Sequence, residues 1–456
     1  MREKVRQQTS IVEPAVNHPH ASELQMMDRL LTLRPEIIDL VYDDLVRGLD
    51  DPDAGREGMM TAEQVFKAMT IKQMNGYSYQ ELAFHLEDSK SYRAYCGFGI
   101  ADDVPTSSTL QRDIKKLRPE TLEAINRLLL DVAVDNKIEK GRKVRVDCTV
   151  VESNIHHPTD SSLLSDSVRV LSRLTRRAKE VFDLDLHFVD HSRRARKRAL
   201  EILNATRDKQ RRKPYRDLLH VTRWSVGYAN EAIRALRLHA AASLLSCVQQ
   251  AADSAAQELE NYVSLALQVI SQTERRVLHG EKVPAEEKVI SIFEPHADII
   301  VKDRRETYYG HKVTLTGGAS GLVIDLVIEE GNPADSTLAL GMIERQNDIY
   351  GRVPRQAAFD GGFASKANLE DIKSTGVKDV SFHKKRGLKV ADMVKSTWVY
   401  KRLRNFRAGI EGMISFLKRG FGLSRCTWRG FESFKSYAWA SVVTANLLVM
   451  ARHLLE

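Results

Sequence analysis

Cysteine is scarce in this chain. Cys96, Cys148, Cys247 and Cys426 are the only four in 456 residues, far apart and without a CxxC pair, so neither a zinc knuckle nor a disulfide framework is indicated. A reducing cytoplasm fits that usage. No run of about 18 or more apolar residues appears, and no apolar segment follows the charged start MREKVRQQTSIVEP, so neither a membrane span nor an export signal is expected. Internal repeats and low-complexity segments are also missing. What the chain does have is length and positive charge. Its 456 residues suffice for two or three domains, and a net charge of +8 with pI near 9.1 favours an anionic partner such as nucleic acid.

Periodicity divides the chain. Residues 24–47 read as one amphipathic helical segment, followed by an acidic linker with Pro52 and Gly55 as breakers. Short helices fill 61–131. Thr61, followed by Glu63 and Gln64, opens the first, Gly76 separates it from a second in which Ser78 and Glu81 stand at capping-box spacing, and Ser107 or Ser108 caps a third helix carrying Gln111, Arg112, Lys115 and Lys116. That pattern suits either a helix-turn-helix module or an ordinary helical domain. At 143–155, Val144, Val146 and Cys148 alternate with Lys143, Arg145 and Asp147, the period of a half-buried strand. Residues 163–278 then read as wholly helical. Within them, 191–216 holds eleven Lys or Arg against Glu201 and Asp208, including Arg193, Arg194, Arg196, Lys197, Arg198, Arg211, Arg212 and Lys213. Such a run is either a phosphate-binding surface or a solvated helix face.

Near residue 300 the period changes again. Strands are expected at 309–316 and 322–328, a helix at 335–350, a strand at 356–360 before Gly361-Gly362, a helix at 365–375 and a strand at 377–382. Helices follow at 398–419 and from 431 to the end, the apolar run 438–450 packing into the core. Asp147 is costly inside a strand unless a metal or a donor offsets its desolvation. Asp360 ends a buried-looking strand, and Glu411 lies in the helix KRLRNFRAGIEGMISFLKRGFG. His156, His157, His296, His311 and His383 lack zinc spacing, and Trp398 reads as packing against the sheet rather than as a platform for an extruded base.

This order of elements and acids resembles the RNase H-like core of bacterial insertion-sequence DDE transposases. One large group of these carries Tyr, two residues, Arg, three residues, Glu, six residues, Lys on its last core helix. Arg407, Glu411 and Lys418 fall at those spacings, and Arg404 replaces the tyrosine. Val146-Asp147-Cys148-Thr149, Tyr309-Gly310-His311-Lys312 and Ala358-Phe359-Asp360-Gly361-Gly362-Phe363 match further family motifs. The resemblance implies an α/β RNase H-like catalytic core over 136–162 and 295–425. A helical DNA-binding domain occupies 1–135, a large all-α insertion between the first two strands occupies 163–294, and a C-terminal helix occupies 426–456. It implies Asp147, Asp360 and Glu411 as catalytic ligands of two Mg²⁺ ions, with Mn²⁺ able to substitute. Arg404, Arg407 and Lys418 would bind DNA beside them. The expected partner is double-stranded DNA, both transposon ends and target, held by a homodimer or larger assembly at the nucleoid. Two alternatives keep the DNA partner: a non-catalytic binding protein derived from a transposase, and a nuclease that does not join strands.

Overall fold

In a computed structural model that describes residues 2–6, 16–49, 59–302, 306–384 and 386–456, the chain divides into two compact units. The first comprises Met1–Asn154 and Gly310–Glu456, the second Ile155–Tyr309. The expected linker at Pro52 and Gly55 lies outside the described residues.

The first unit begins with helices α1 (Pro19–Thr32), α2 (Glu36–Val46), α3 (Ala62–Asn75), α4 (Tyr79–Asp88), α5 (Lys90–Cys96), α6 (Ser107–Ile114) and α7 (Pro119–Asp135). Residues 24–47 are therefore two helices, not one. Pro35 separates them, because it lacks an N–H and disfavours a helical Arg34. The expected capping box of Ser78 with Glu81 forms, Thr61, which opens α3 as expected, forms a second box with Gln64, and Gly76 ends α3 at φ +66°. The cap of α6 is Thr106 rather than Ser107 or Ser108. Its backbone is extended, and its hydroxyl accepts from the Thr109 N–H.

Strand β1 (Lys143–Ser153) is central to a mixed sheet. It pairs antiparallel with β3 (Glu306–Gly317), which pairs antiparallel with β4 (Val323–Ile328). On its other side β1 runs parallel to β5 (Gln356–Phe359), and β5 parallel to β6 (Asp379–Phe382). Helix α12 (Asp335–Tyr350) precedes β5, while α13 (Lys366–Ser374) lies between β5 and β6. Two strands have no counterpart in the sequence reading. β2 (Asp298–Lys302) flanks β3, and β7 (Arg425–Cys426) pairs with the end of β1; the two residues of β7 are too short to carry a period.

After α14 (Val390–Met393) come the long helices α15 (Thr397–Gly420) and α16 (Phe431–Leu455). By length and composition α16 could cross a membrane, yet most of it is buried, packed against α1, α3 and α7. It is the core helix of this unit. The second unit is built on α8 (Asp160–Val181), α9 (Ser192–Asn204), α10 (Asp208–Ala242) and α11 (Ser246–Thr273), with a core of its own.

Candidate active site

Alternation along β1 sends Arg145 and Asp147 to one face of the sheet, and α15 packs on that strand. The parallel register pairs Val146 with Phe359, so Asp147 and Asp360 occupy the next rung of neighbouring strands. Asp360 leaves β5 with extended backbone and begins a short turn, Gly361–Phe363. Glu411 stands on α15 one turn after Arg407.

One guanidinium joins all three acids. Arg407 Nη2 donates to Asp147 Oδ2 at 2.8 Å and stands 2.7 Å from Asp360 Oδ1, while Nη1 donates to Glu411 Oε1 at 2.8 Å. The Asp147 and Asp360 oxygens, each close to the same nitrogen, are about two hydrogen-bond lengths apart at most. Asp147 also accepts the Cys148 N–H through Oδ1 at 2.8 Å. Side-chain exposure rises from 9% at Arg407 to 14% at Asp147, 34% at Asp360 and 67% at Glu411, so the cluster opens toward Glu411. There an open groove of about 730 Å³ is lined by Glu411, Gly412, Ser415, Phe416, Arg419 and Gly420. Convergence is thus on a cation, not yet on a shared ligand position. Among the described residues, no group of three His, Cys, Asp or Glu stands close enough to hold a metal as arranged. The donors themselves suit a hard divalent ion: three carboxylates, one well exposed, around a single positive charge.

Neighbouring side chains hold this arrangement. A Cβ on Gly362 would collide with the Asp335 carboxylate, which ion-pairs with buried Lys312 Nζ at 2.5 Å; the same Nζ donates to the Pro333 carbonyl. A Cβ on Gly361 would meet Lys384 Cβ at 2.8 Å. Arg145 lies against α15 at Gly409 and donates to the Phe406 carbonyl at 3.2 Å. Burial pushes its guanidinium below the usual value. Burial also pushes the Cys148 thiol well up, which keeps it protonated and inert. Sequence reasoning missed Asp335, Lys384, Arg145 and Gly409. Asp335 reads as an ordinary first-turn acid, whereas glycine inside an amphipathic helix was a usable signal at Gly409.

The remaining expected residues divide. Arg404 is exposed on α15, one turn before Arg407, and Lys418 is partly buried near its end. Trp398 corrects the reading of it as a packed residue: it is 63% exposed, with the Arg402 guanidinium 4.7 Å from its ring centre. Position explains it, since Val399 and Tyr400 take the buried face of that turn. In the second unit, Arg193, Arg196 and Lys197 are exposed on α9 and line an open groove of about 740 Å³ with Leu200. Arg194 and Arg198 both pair with Asp217, and Arg198 also with Glu201 at 2.7 Å. Arg211 caps the Ala205 carbonyl, while Arg212 and Lys213 are exposed.

Comparison with protein families gives two matches. Residues 294–447 match the Transposase DDE domain, and residues 19–116 match a Transposase domain, DUF772. No curated protein and no solved structure matches the chain.

Proposed function

Because the chain belongs to the insertion-sequence DDE transposases, we propose that it binds the terminal inverted repeats of its element, cuts the DNA at those ends and joins a 3′-hydroxyl to target DNA. The observation that carries this reading is the meeting of Asp147, Asp360 and Glu411, from two neighbouring strands and a helix, on one side chain. A central β1 flanked by antiparallel β3 and β4 and by parallel β5 and β6 supports an RNase H-like core.

Asp147, Asp360 and Glu411 would hold two Mg²⁺ ions, or Mn²⁺ in their place. Such ions, when bound, activate an attacking oxygen and stabilise the leaving oxygen of an in-line phosphoryl transfer. The chain's own groups supply the rest. Asp147 and Asp360, fixed by strand register, hold their carboxylates in one place, and Glu411 closes the open side. Arg404 and Lys418, on the helix that bears Glu411, neutralise phosphates along the approach. Arg193, Arg196, Lys197, Arg212 and Lys213 add a second phosphate-binding surface. Paired ends require at least a homodimer, and the reaction takes place at the nucleoid.

The test is nicking and strand transfer on duplexes carrying the element's ends, with Mg²⁺. Asp147→Ala, Asp360→Ala and Glu411→Ala should each abolish both reactions while end binding persists. Cleavage without joining would make the protein a nuclease. End binding without cleavage by the unaltered chain would make it a non-catalytic DNA-binding relative.

A further inference from the structure

We propose that Arg407 is the internal counter-cation of the acid cluster. It holds Asp147, Asp360 and Glu411 together in the metal-free chain, and it must leave Asp147 and Asp360 before a divalent ion binds there. The inference rests on the reading of these acids as metal ligands.

Three observations carry it. Arg407 is buried although it belongs to a helix otherwise rich in exposed cations, such as Lys401, Arg402 and Arg404. A guanidinium removed from water requires close anionic partners, and this one has three, each within 2.8 Å. Second, a single nitrogen, Nη2, serves both Asp147 Oδ2 and Asp360 Oδ1. An ion held by these two carboxylates would have to compete with this nitrogen for their oxygens. Third, Arg407 Nε is buried without a hydrogen-bond partner, so the side chain does not use its full donor set in this position. The guanidinium has another anion to go to once DNA is present, a backbone phosphate at the same site.

Metal and DNA should therefore bind cooperatively. With DNA absent, Arg407 competes for the carboxylates and metal binding is weak. With a phosphate drawing the guanidinium away, the acids are released to the ion, and by linkage each ligand strengthens the other by the same factor. The device keeps the acids from carrying a reactive ion when no substrate is bound.

The test is Mn²⁺ binding to the full chain, followed by electron paramagnetic resonance of the free ion, with and without a duplex of arbitrary sequence. Arg407→Gln should bind Mn²⁺ at least about tenfold tighter than the unaltered chain without DNA, because one positive charge has left contact range of three carboxylates. Duplex DNA should tighten binding in the unaltered chain and have little effect in Arg407→Gln. Unchanged or weaker binding by Arg407→Gln, or equal tightening by DNA in both proteins, overturns the proposal. If Arg407→Gln does not fold, as judged by circular dichroism, Arg407→Lys serves. Its single ammonium cannot span all three carboxylates, so Mn²⁺ should bind it several-fold tighter, and unchanged affinity overturns the proposal equally. Asp147→Asn separates the two levels of the argument. If it leaves Mn²⁺ binding intact, the acids are not metal ligands and the functional reading fails. If it abolishes binding while Arg407→Gln behaves like the unaltered chain, only the counter-cation assignment fails.

Discussion

Arg145 and Gly409 fit each other as a side chain and a notch. The arginine guanidinium crosses α15 where Gly409 has no side chain, and a Cβ there would collide with Nη1. Phe406, one turn earlier, covers the same group, with its ring centre 4.9 Å from the Arg145 guanidinium and 4.1 Å from Lys143 Nζ. A glycine inside a helix costs about 1 kcal/mol relative to alanine, so the position is occupied for the close approach it permits. The contact lies between β1 and α15, the two elements that carry Asp147 and Arg407. Gly409→Ala should push the end of the Arg145 side chain off Phe406, lowering stability by about 1 kcal/mol at most after the gain in helix propensity and DNA nicking by no more than about tenfold. Adding Arg145→Ala should recover part of both losses. Urea denaturation and a nicking assay on the single and double variants measure them; a double variant worse than Gly409→Ala would separate the notch from the catalytic face.

Lys312 and Asp335 form a second support, behind Asp360. Lys312 is buried and the Asp335 carboxylate rests against Gly362. Asp335→Ala leaves a buried ammonium with one carbonyl partner, at a cost of roughly 3–5 kcal/mol. Lys312→Met combined with Asp335→Ala should cost clearly less than the sum of the single changes. A double-mutant cycle by chemical denaturation gives the coupling directly, and strict additivity would show that the pair does not act as a unit.

Motif and period made much of this molecule legible before the structure. β1, the α12 boundary at Gly351, the start of α3 at Thr61 and the capping box of Ser78 with Glu81 follow from local chemistry, which the fold does not override. Asp147, Asp360 and Glu411 were legible because strand, turn and helix each carry a short motif. The ion pairs of Arg407 with Asp147 and Asp360 were not. Spacing put it on one helix face with Glu411 and Lys418, but its bonds to Asp147 and Asp360 depend on how α15 lies across two strands. The pairing of Lys312 with Asp335 escaped for the same reason, since it is fixed by tertiary packing. The basic run at 191–216 looked uniform, and it is Asp217 on α10, outside the run, that engages Arg194 and Arg198 and sets them apart from the open cations beside them.

That division gives a prediction on α9. Arg193, Arg196 and Lys197 line an open groove, so replacing each by Gln should lower DNA affinity and reduce the slope of log affinity against log salt by about one for every phosphate no longer neutralised. Arg194 and Arg198 are bound to Asp217, whose carboxyl their hydrogen bonds pull down to about 2. Arg194→Gln and Arg198→Gln should leave the salt slope nearly unchanged. Fluorescence anisotropy over a salt series distinguishes the two sets, and equal slopes for both would mean that the ion pairs open when DNA binds.

Lys72 carries the prediction that depends on pH. Its ammonium is buried in the first unit, 5.0 Å from the ring centre of Tyr79 and 5.9 Å from those of Trp428 and Tyr437. Burial lowers its pKa from 10.5 to about 8. Below about pH 8 the folded and unfolded chains both hold the proton, and folding bears the full cost of a buried charge. Between pH 8 and 10.5 the unfolded chain holds more protons than the folded one, so this residue makes stability rise with pH across that window. The full rise amounts to roughly 3 kcal/mol. Tyr79 and Tyr437 act in the opposite direction at higher pH, because burial raises both phenols and only the unfolded chain would ionise them near their ordinary value. The comparison therefore belongs between about pH 7.5 and 9.5. Lys72→Met should be the more stable protein at the lower limit, with the advantage shrinking as pH rises. Urea denaturation at both limits tests this, and a constant difference between the two proteins would mean that Lys72 does not titrate in that range.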